Sequence, residues 1–165
     1  MTDRTPSVDP EEWIAQLRGH ERDLVFERFD HADAWRLGSA ITERAIAAGH
    51  RVAIDIRRPG LILFRAALAG ATEDQEHWVR RKAAVVLRLE SSSALIAAEI
   101  ASRGGDPFAV GWLDPREYAL AGGSFPVRVR GVGVVAAVTV SGMTSAEDHA
   151  LVVEVIADHL AASGG

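Results

Sequence analysis

The stretch RVAIDIRRPGLILFRAAL, residues 51–68, decides the fold because it predicts a pair of antiparallel strands. Its two halves, Arg51–Ile56 and Leu61–Leu68, are rich in the apolar and β-branched residues that favour strands. Between them lies Arg57-Arg58-Pro59-Gly60, whose Pro-Gly pair suits the centre of a tight turn. Asp55 lies between two isoleucines, which indicates a sheet with one more polar face.

Working outward, a second pair of β-rich runs, Val127–Arg130 and Val134–Val140, is joined through Gly131-Val132-Gly133, and Asp23–Phe29 predicts a fifth strand. Helices are predicted to follow the caps Asp9, Asp30, Thr72 and Thr144, with a further helix over Ala94–Ser102. Two hairpins and no βαβ alternation exclude a Rossmann fold. We therefore expect an α/β (α+β) fold with an antiparallel five-stranded sheet flanked by helices.

Composition narrows the class of protein. The 165 residues suffice for one core, so we expect a single domain over residues 9–165, preceded by a disordered N-terminus over residues 1–8. The chain has no cysteine, which excludes disulfides, iron–sulfur clusters and thiol catalysis. Six histidines show no zinc spacing, so no metal site is predicted.

Charge and hydropathy indicate which partners to expect. The net charge is −5 and no long basic run is present, so we expect no nucleic-acid partner. No apolar run approaches the roughly 18 residues of a membrane span, and the first ten residues lack an apolar signal core. We therefore expect a soluble, cytoplasmic protein with no membrane partner.

One lysine occupies an unusual position in the helix over residues 72–90. At 100° per residue, Trp78, Lys82, Val85 and Leu89 lie within about 60° of one another, so Lys82 falls inside the apolar stripe. Burying an unpaired ammonium is costly. The lysine therefore either snorkels to water, or pairs with an anion in a ligand pocket or subunit interface.

Two loop motifs are candidates for ligand contacts. Gly122-Gly123-Ser124-Phe125-Pro126 either presents backbone amides to an anion or is a turn that leads into the next strand. Ser91-Ser92-Ser93 follows the lysine helix, and Ser92 falls on the same side as Lys82 if that helix continues. Serines at this point also explain capping or kinking of a helix.

Asp148 and His149 fall in the first turn of the last predicted helix. An acidic residue there favours the helix dipole. A neutral imidazole can ligate haem iron, although a lone histidine is also a common structural residue.

The segment over residues 106–126 is long and rich in aromatic residues for a loop. A loop of this length is usually functional or covered by a neighbour. We therefore expect another subunit to cover it.

Several short motifs occur together in one order, and the order is more specific than any single motif. They are Trp78-x-x-Arg81-Lys82, Ser91-Ser92, Tyr118, Gly122-Gly123-x-Phe125-Pro126-Val127-Arg128-Val129, Gly131-x-Gly133, Val140-Ser141-Gly142 and Asp148-His149. Over about residues 20–162 the chain thereby resembles the UPF branch of the haem-degrading-domain superfamily, whose relatives include GlcG-like and HbpS-like proteins.

The resemblance implies a profilin-like or PAS-like fold and a homo-oligomer, either a dimer or a higher assembly of dimers. It implies haem binding or degradation for some relatives only, so haem is a candidate cofactor and no catalytic residue is assigned. Ligation of haem by His149 is an interpretation of that residue alone.

We expect a small oligomeric protein that binds an anionic small molecule or haem. The alternatives are an enzyme that acts on haem or another small molecule, and an interaction protein without a small ligand. The predicted ligand-binding residues are Trp78, Lys82, Ser92, Tyr118, Gly122, Gly123, Phe125, Ser141, Gly142 and His149.

Overall fold

The computed structural model describes residues 8–164. The expected disorder over residues 1–8 falls outside this range except for Val8. The elements in chain order are α1 Pro10–Asp23, α2 His31–Ala47, β1 Ala53–Arg58, β2 Leu61–Ala67, α3 Glu73–Leu89, α4 Ser93–Arg103, β3 Ser124–Val129, β4 Gly133–Ser141 and α5 Ser145–Ser163.

The described residues form one antiparallel sheet with the strand order β2-β1-β4-β3. The mixed fold and the two hairpins are confirmed, but the sheet has four strands and not five. The predicted strand Asp23–Phe29 is wrong, because α1 continues to Asp23 and leaves only a short extended piece before α2. Within that piece Phe26 alone forms a bridge, to Val129, and its ring is buried in the core.

The helix starts follow the predicted caps. Side-chain oxygens of Asp9 and Asp30 accept hydrogen bonds from backbone N–H groups of the first turn. At Thr72 and Thr144 the side chain three residues later accepts from the cap N–H group. Each interaction satisfies one of the backbone donors that a helix N-terminus leaves free.

The main hydrophobic core lies between one face of the sheet and the helices α2 and α5. Side chains such as Ile54 and Val138 from the sheet meet Ile41 and Ile156 from the helices there. The helix α3 covers the other face, where Ala83 and Val86 pack on Ala137.

A buried charge lies on the α3 side of the sheet. The carboxylate of Asp55 is fully buried and accepts hydrogen bonds from Arg57 at 2.6 and 2.8 Å and from Arg65 at 2.8 Å. The face that the sequence predicts to be polar is therefore polar, although a helix covers it. Among residues 8–164, no helix is long and apolar enough to cross a membrane.

Candidate ligand-binding site

A cavity of about 550 Å³ lies between α1, α4 and the first turn of α5. Its lining residues are mostly small and apolar: Val8, Pro10, Trp13, Ala94, Ala97, Ala98, Ala101, Ser102, Leu120, Ala121, Gly122, Ser145 and Ala146. We call it the alanine-lined cavity. Its size and lining match those of sites for small organic molecules.

The wall on α4 follows from the spacing of its alanines. Residues 94, 97, 98 and 101 recur at i, i+3, i+4 and i+7, which places them on one face of the helix. Each ends at a methyl group, so this face leaves open space beside α1.

The polar part of the cavity is at the start of α5. Ser145 and Ala146 line the cavity, and among residues 8–164 their backbone N–H groups have no hydrogen-bond partner. The third N–H group, that of Glu147, is bonded to the Thr144 hydroxyl. A helix N-terminus favours an anionic or hydrogen-bond-accepting group.

His149 lies behind the cavity wall. Its ring meets that of Trp13 edge-on, with the ring centres 6.0 Å apart, and its side chain is 1% exposed. Its Nε2 atom lies 3.0 Å from Nδ1 of His20, whereas its own Nδ1 has no partner among the described residues. Burial, and secondarily the charge of His20, lower the pKa of His149 to about 3, so the ring is neutral at pH 7.

Lys82 is buried as part of an internal ion pair. Its ammonium donates to Asp148 Oδ2 at 2.9 Å, to the Gly122 carbonyl at 2.9 Å and to the Val140 carbonyl at 3.1 Å. Burial lowers the pKa of Lys82 and raises the pKa of Asp148, and the partner's charge opposes the shift in each case. All three N–H groups are used, so Lys82 has no donor left for a ligand.

The two glycines of the loop motif allow close packing. A Cβ atom on Gly122 would lie 2.4 Å from the Ser145 carbonyl oxygen, and one on Gly123 would lie 2.4 Å from the Val140 carbonyl oxygen. Gly123 also has a φ of +124°, which other residues rarely adopt. These positions therefore bring the chain against α5 and β4, and of the two only Gly122 lines the cavity.

The other predicted site residues lie apart from the cavity. The Ser92 hydroxyl caps α4 by accepting from Leu95 N at 3.2 Å, and the Ser92 N–H group donates to Glu21. Ser141 ends β4, and a Cβ atom on Gly142 would lie 2.4 Å from the Arg51 carbonyl oxygen. Phe125 belongs to the core.

Trp78 and Tyr118 contact arginines. The guanidinium of Arg81 lies 4.5 Å from the centre of the Trp78 ring, and that of Arg88 lies 5.1 Å from the Tyr118 ring. Of the ten predicted residues, the structure thus places Gly122 alone on the cavity wall. The sequence interpretation missed Trp13 and the α4 alanines, although their helical spacing is a readable signal.

Comparisons with known proteins identify relatives over most of the chain. The family model described as "Haem degrading protein HbpS-like" matches residues 29–157. A UPF0303 protein of Streptomyces coelicolor is 50% identical over 143 residues, which cover 87% of this chain and 90% of that protein. A UPF0303 protein of Acidobacterium capsulatum is 45% identical, with 87% of each chain covered.

Solved structures share the fold. The crystal structure of Ybr137w protein is similar with a TM-score of 0.84 and 29% identity, covering 96% of this chain and 91% of that one. A complex of PduOC with haem has a TM-score of 0.68 and 16% identity, covering 78% and 93%. HbpS has a TM-score of 0.65 and 21% identity, covering 81% and 90%. The last two likenesses concern the fold alone.

Proposed function

This chain belongs to the HbpS-like haem-degrading protein family and to the UPF0303 proteins, and from that premise we propose that it binds a small molecule in the alanine-lined cavity. The observation that carries the proposal is the cavity itself, about 550 Å³, with the small side chains of α4 on one side and Trp13 of α1 on the other. Apolar walls of this kind favour a ligand that buries hydrocarbon or aromatic surface.

The ligand is proposed to have one anionic or hydrogen-bond-accepting end. The free N–H groups of Ser145 and Ala146 support an anion at the start of α5, in place of the contact with Lys82 that the sequence predicts. The acidic side chains of that first turn are already engaged. Glu147 accepts from Thr144, and Asp148 accepts from Lys82 and Met143.

The residues present do not fit haem held through its iron. Among residues 8–164, the cavity lining contains no histidine, cysteine, methionine, tyrosine or lysine, which are the usual sources of an axial or anchoring ligand. His149 lies behind Trp13 with its Nε2 atom directed to His20. The proposed ligand is therefore bound through its apolar surface and not through a metal.

The lining contributed by the described residues also contains no ionisable side chain, so these residues offer no general acid or base to the alternative of an enzyme. The alternative of an interaction protein without a small ligand is supported by a different surface. Val110 and Trp112, in the segment between α4 and β3, are 79% and 47% exposed. We infer that this segment contacts a second copy of the chain.

A cytoplasmic location stays a prediction from the sequence.

The test of the cavity is a titration with 8-anilinonaphthalene-1-sulfonate, an apolar anion whose fluorescence rises on burial. The variant Ala97→Phe places a phenyl ring in the cavity and narrows it, and Ala161→Phe places the same ring on an exposed part of α5 as a control. Excluding about 60 Å² of apolar ligand surface costs about 1.4 kcal/mol, or roughly tenfold in affinity. We expect that loss in Ala97→Phe and unchanged binding in Ala161→Phe.

Equal binding by wild type and Ala97→Phe would contradict the cavity proposal. A haem titration in parallel tests the absence of an iron ligand. A Soret shift that is saturable in wild type and lost in His149→Phe, with the circular dichroism spectrum unchanged, would show that His149 reaches the iron and would overturn that part of the proposal.

A further inference from the structure

We propose that a second site, in a groove between the β1–β2 hairpin and α3, binds a small amphiphile with a carboxylate or phosphate head. The groove has a volume of about 370 Å³ and is separate from the alanine-lined cavity. The arginines Arg57, Arg58 and Arg80 line it together with apolar side chains that include Leu61 and Ile62. We call it the arginine groove.

The groove is positively charged although the chain as a whole carries a net charge of −5. No acidic residue lines it in the described part of the chain. Asp55 lies beneath, but its single charge is shared between Arg57 and Arg65, of which Arg65 also pairs with Glu76. These four groups balance, so the charges of Arg58 and Arg80 remain uncompensated.

The two remaining arginines are available to a ligand. Arg80 donates one N–H group to the Arg116 carbonyl at 3.0 Å, and among residues 8–164 Arg58 has no ion pair within 4.0 Å. Guanidinium groups hold carboxylate and phosphate oxygens through paired hydrogen bonds. The two available guanidiniums beside one small volume therefore suit a single oxyanion.

The apolar part of the groove defines the rest of the ligand. Leu61 and Ile62 are 50% and 51% exposed on β2, one of the two edge strands of the sheet, and Ala84 and Leu87 of α3 face the same space. Exposed leucine and isoleucine beside uncompensated arginines match a molecule with a hydrocarbon tail and an anionic head.

Calorimetric titration with octanoate, octyl phosphate and octanol tests the proposal in the Ala97→Phe background, where the alanine-lined cavity is narrowed. The test variant is Arg58→Gln/Arg80→Gln. The control Arg22→Gln/Arg130→Gln removes the same charge from side chains that are 73% and 66% exposed elsewhere. We expect both anions to bind saturably and octanol to bind at least about tenfold more weakly.

The test variant is expected to weaken anion binding by about tenfold relative to the control variant. A greater loss for octyl phosphate than for octanoate would identify phosphate as the preferred head, and the reverse would identify carboxylate. Equal binding by the two variants, or no saturable binding in the Ala97→Phe background, would overturn the proposal. A fall in molecular mass in the test variant without any loss of anion binding would assign the groove to contact between copies and would also overturn it. The alanine-lined cavity is tested separately, so failure here leaves that proposal standing.

Discussion

Lys82 connects α3 to three other segments at one end of the sheet. Its ammonium joins α3 to the first turn of α5 through Asp148, to β4 through the Val140 carbonyl and to the loop before β3 through the Gly122 carbonyl. Both side chains of the ion pair are almost fully buried, at 3% and 2% exposure. In such surroundings each charge depends on the other, because neither reaches water.

Replacing Lys82 by methionine is expected to lower the free energy of unfolding by about 3–5 kcal/mol at pH 7, because Asp148 then remains buried without its counter-charge. Urea denaturation measures the loss. The double variant Lys82→Met/Asp148→Leu is expected to recover part of it, since no lone charge remains. As a control, Arg44→Gln breaks an exposed pair with Asp158 and is expected to change stability little. A similarly small loss for Lys82→Met would contradict the structural role of the pair.

His149 is expected to make stability depend on pH. Its folded-state pKa of about 3 lies below the ordinary value of 6.5, so the unfolded chain binds the extra proton between these values. The contribution of His149 to the free energy of unfolding is therefore fully present above about pH 6.5 and is lost as the pH falls. Between pH 7.5 and pH 5 the loss from this residue is about 2 kcal/mol. Denaturant titrations at a series of pH values measure the slope.

The dependence of stability on pH is expected to be weaker in His149→Phe. The phenyl ring takes the place of the imidazole against Trp13 and Phe125 but does not bind a proton. The dependence does not vanish there, because burial also lowers the pKa values of His20 and His159. His31→Phe, at an exposed position, serves as the control and keeps the wild-type slope. Identical slopes for wild type and His149→Phe would show that the buried imidazole is not the source.

Local sequence signals predict most helix starts correctly. The caps Asp9, Asp30, Thr72 and Thr144 act through bonds within four residues of the chain, so the sequence contains both partners. The boundary between α1 and the predicted strand Asp23–Phe29 is wrong, because the last turn of α1 is stabilised by distant residues. His20 meets His149, and Glu21 accepts hydrogen bonds from Ser91 and Ser92.

The candidate site also depends on contacts between residues that are distant in the sequence. The position of Lys82 in an apolar stripe was visible in the sequence, but its acceptor Asp148 lies 66 residues later, so the choice between a ligand and an internal partner required the tertiary structure. The Gly122-Gly123 motif was recognised for its conformational freedom. The two positions require glycine because the Ser145 and Val140 carbonyl oxygens approach them closely, and no local pattern reveals these contacts.

The two edges of the sheet differ in how far they are covered. One edge strand, β3, is partly covered through the bridge from Val129 to Phe26, whereas the other, β2, pairs with β1 and has no strand on its outer edge among residues 8–164. Hairpin turns and alternation predicted the antiparallel pairs because these contacts are nearly local. The fifth strand failed because a single buried aromatic in Asp23–Phe29 gives the same alternating pattern as a paired strand.

Assembly is the prediction that concerns the molecule as a whole. A segment of about twenty residues joins α4 to β3, and it exposes Val110 and Trp112 while Arg80 and Arg81 hold it to α3 through the carbonyls of Arg116 and Pro115. Exposed apolar side chains on an anchored segment favour burial against another copy. Light scattering at micromolar concentration is expected to give a mass of at least two 17.7 kDa chains.

The variant Val110→Ser/Trp112→Ser is expected to shift that mass towards one chain, because it removes the apolar surface that association would bury. Val132→Ser changes a side chain that is 72% exposed in the turn between β3 and β4, and it should leave the mass unchanged. A monomeric wild type would refute assembly. An oligomer that is lost in Val132→Ser but kept in the double variant would move the interface to the β3–β4 turn, and the segment before β3 would then need another explanation for its exposed tryptophan.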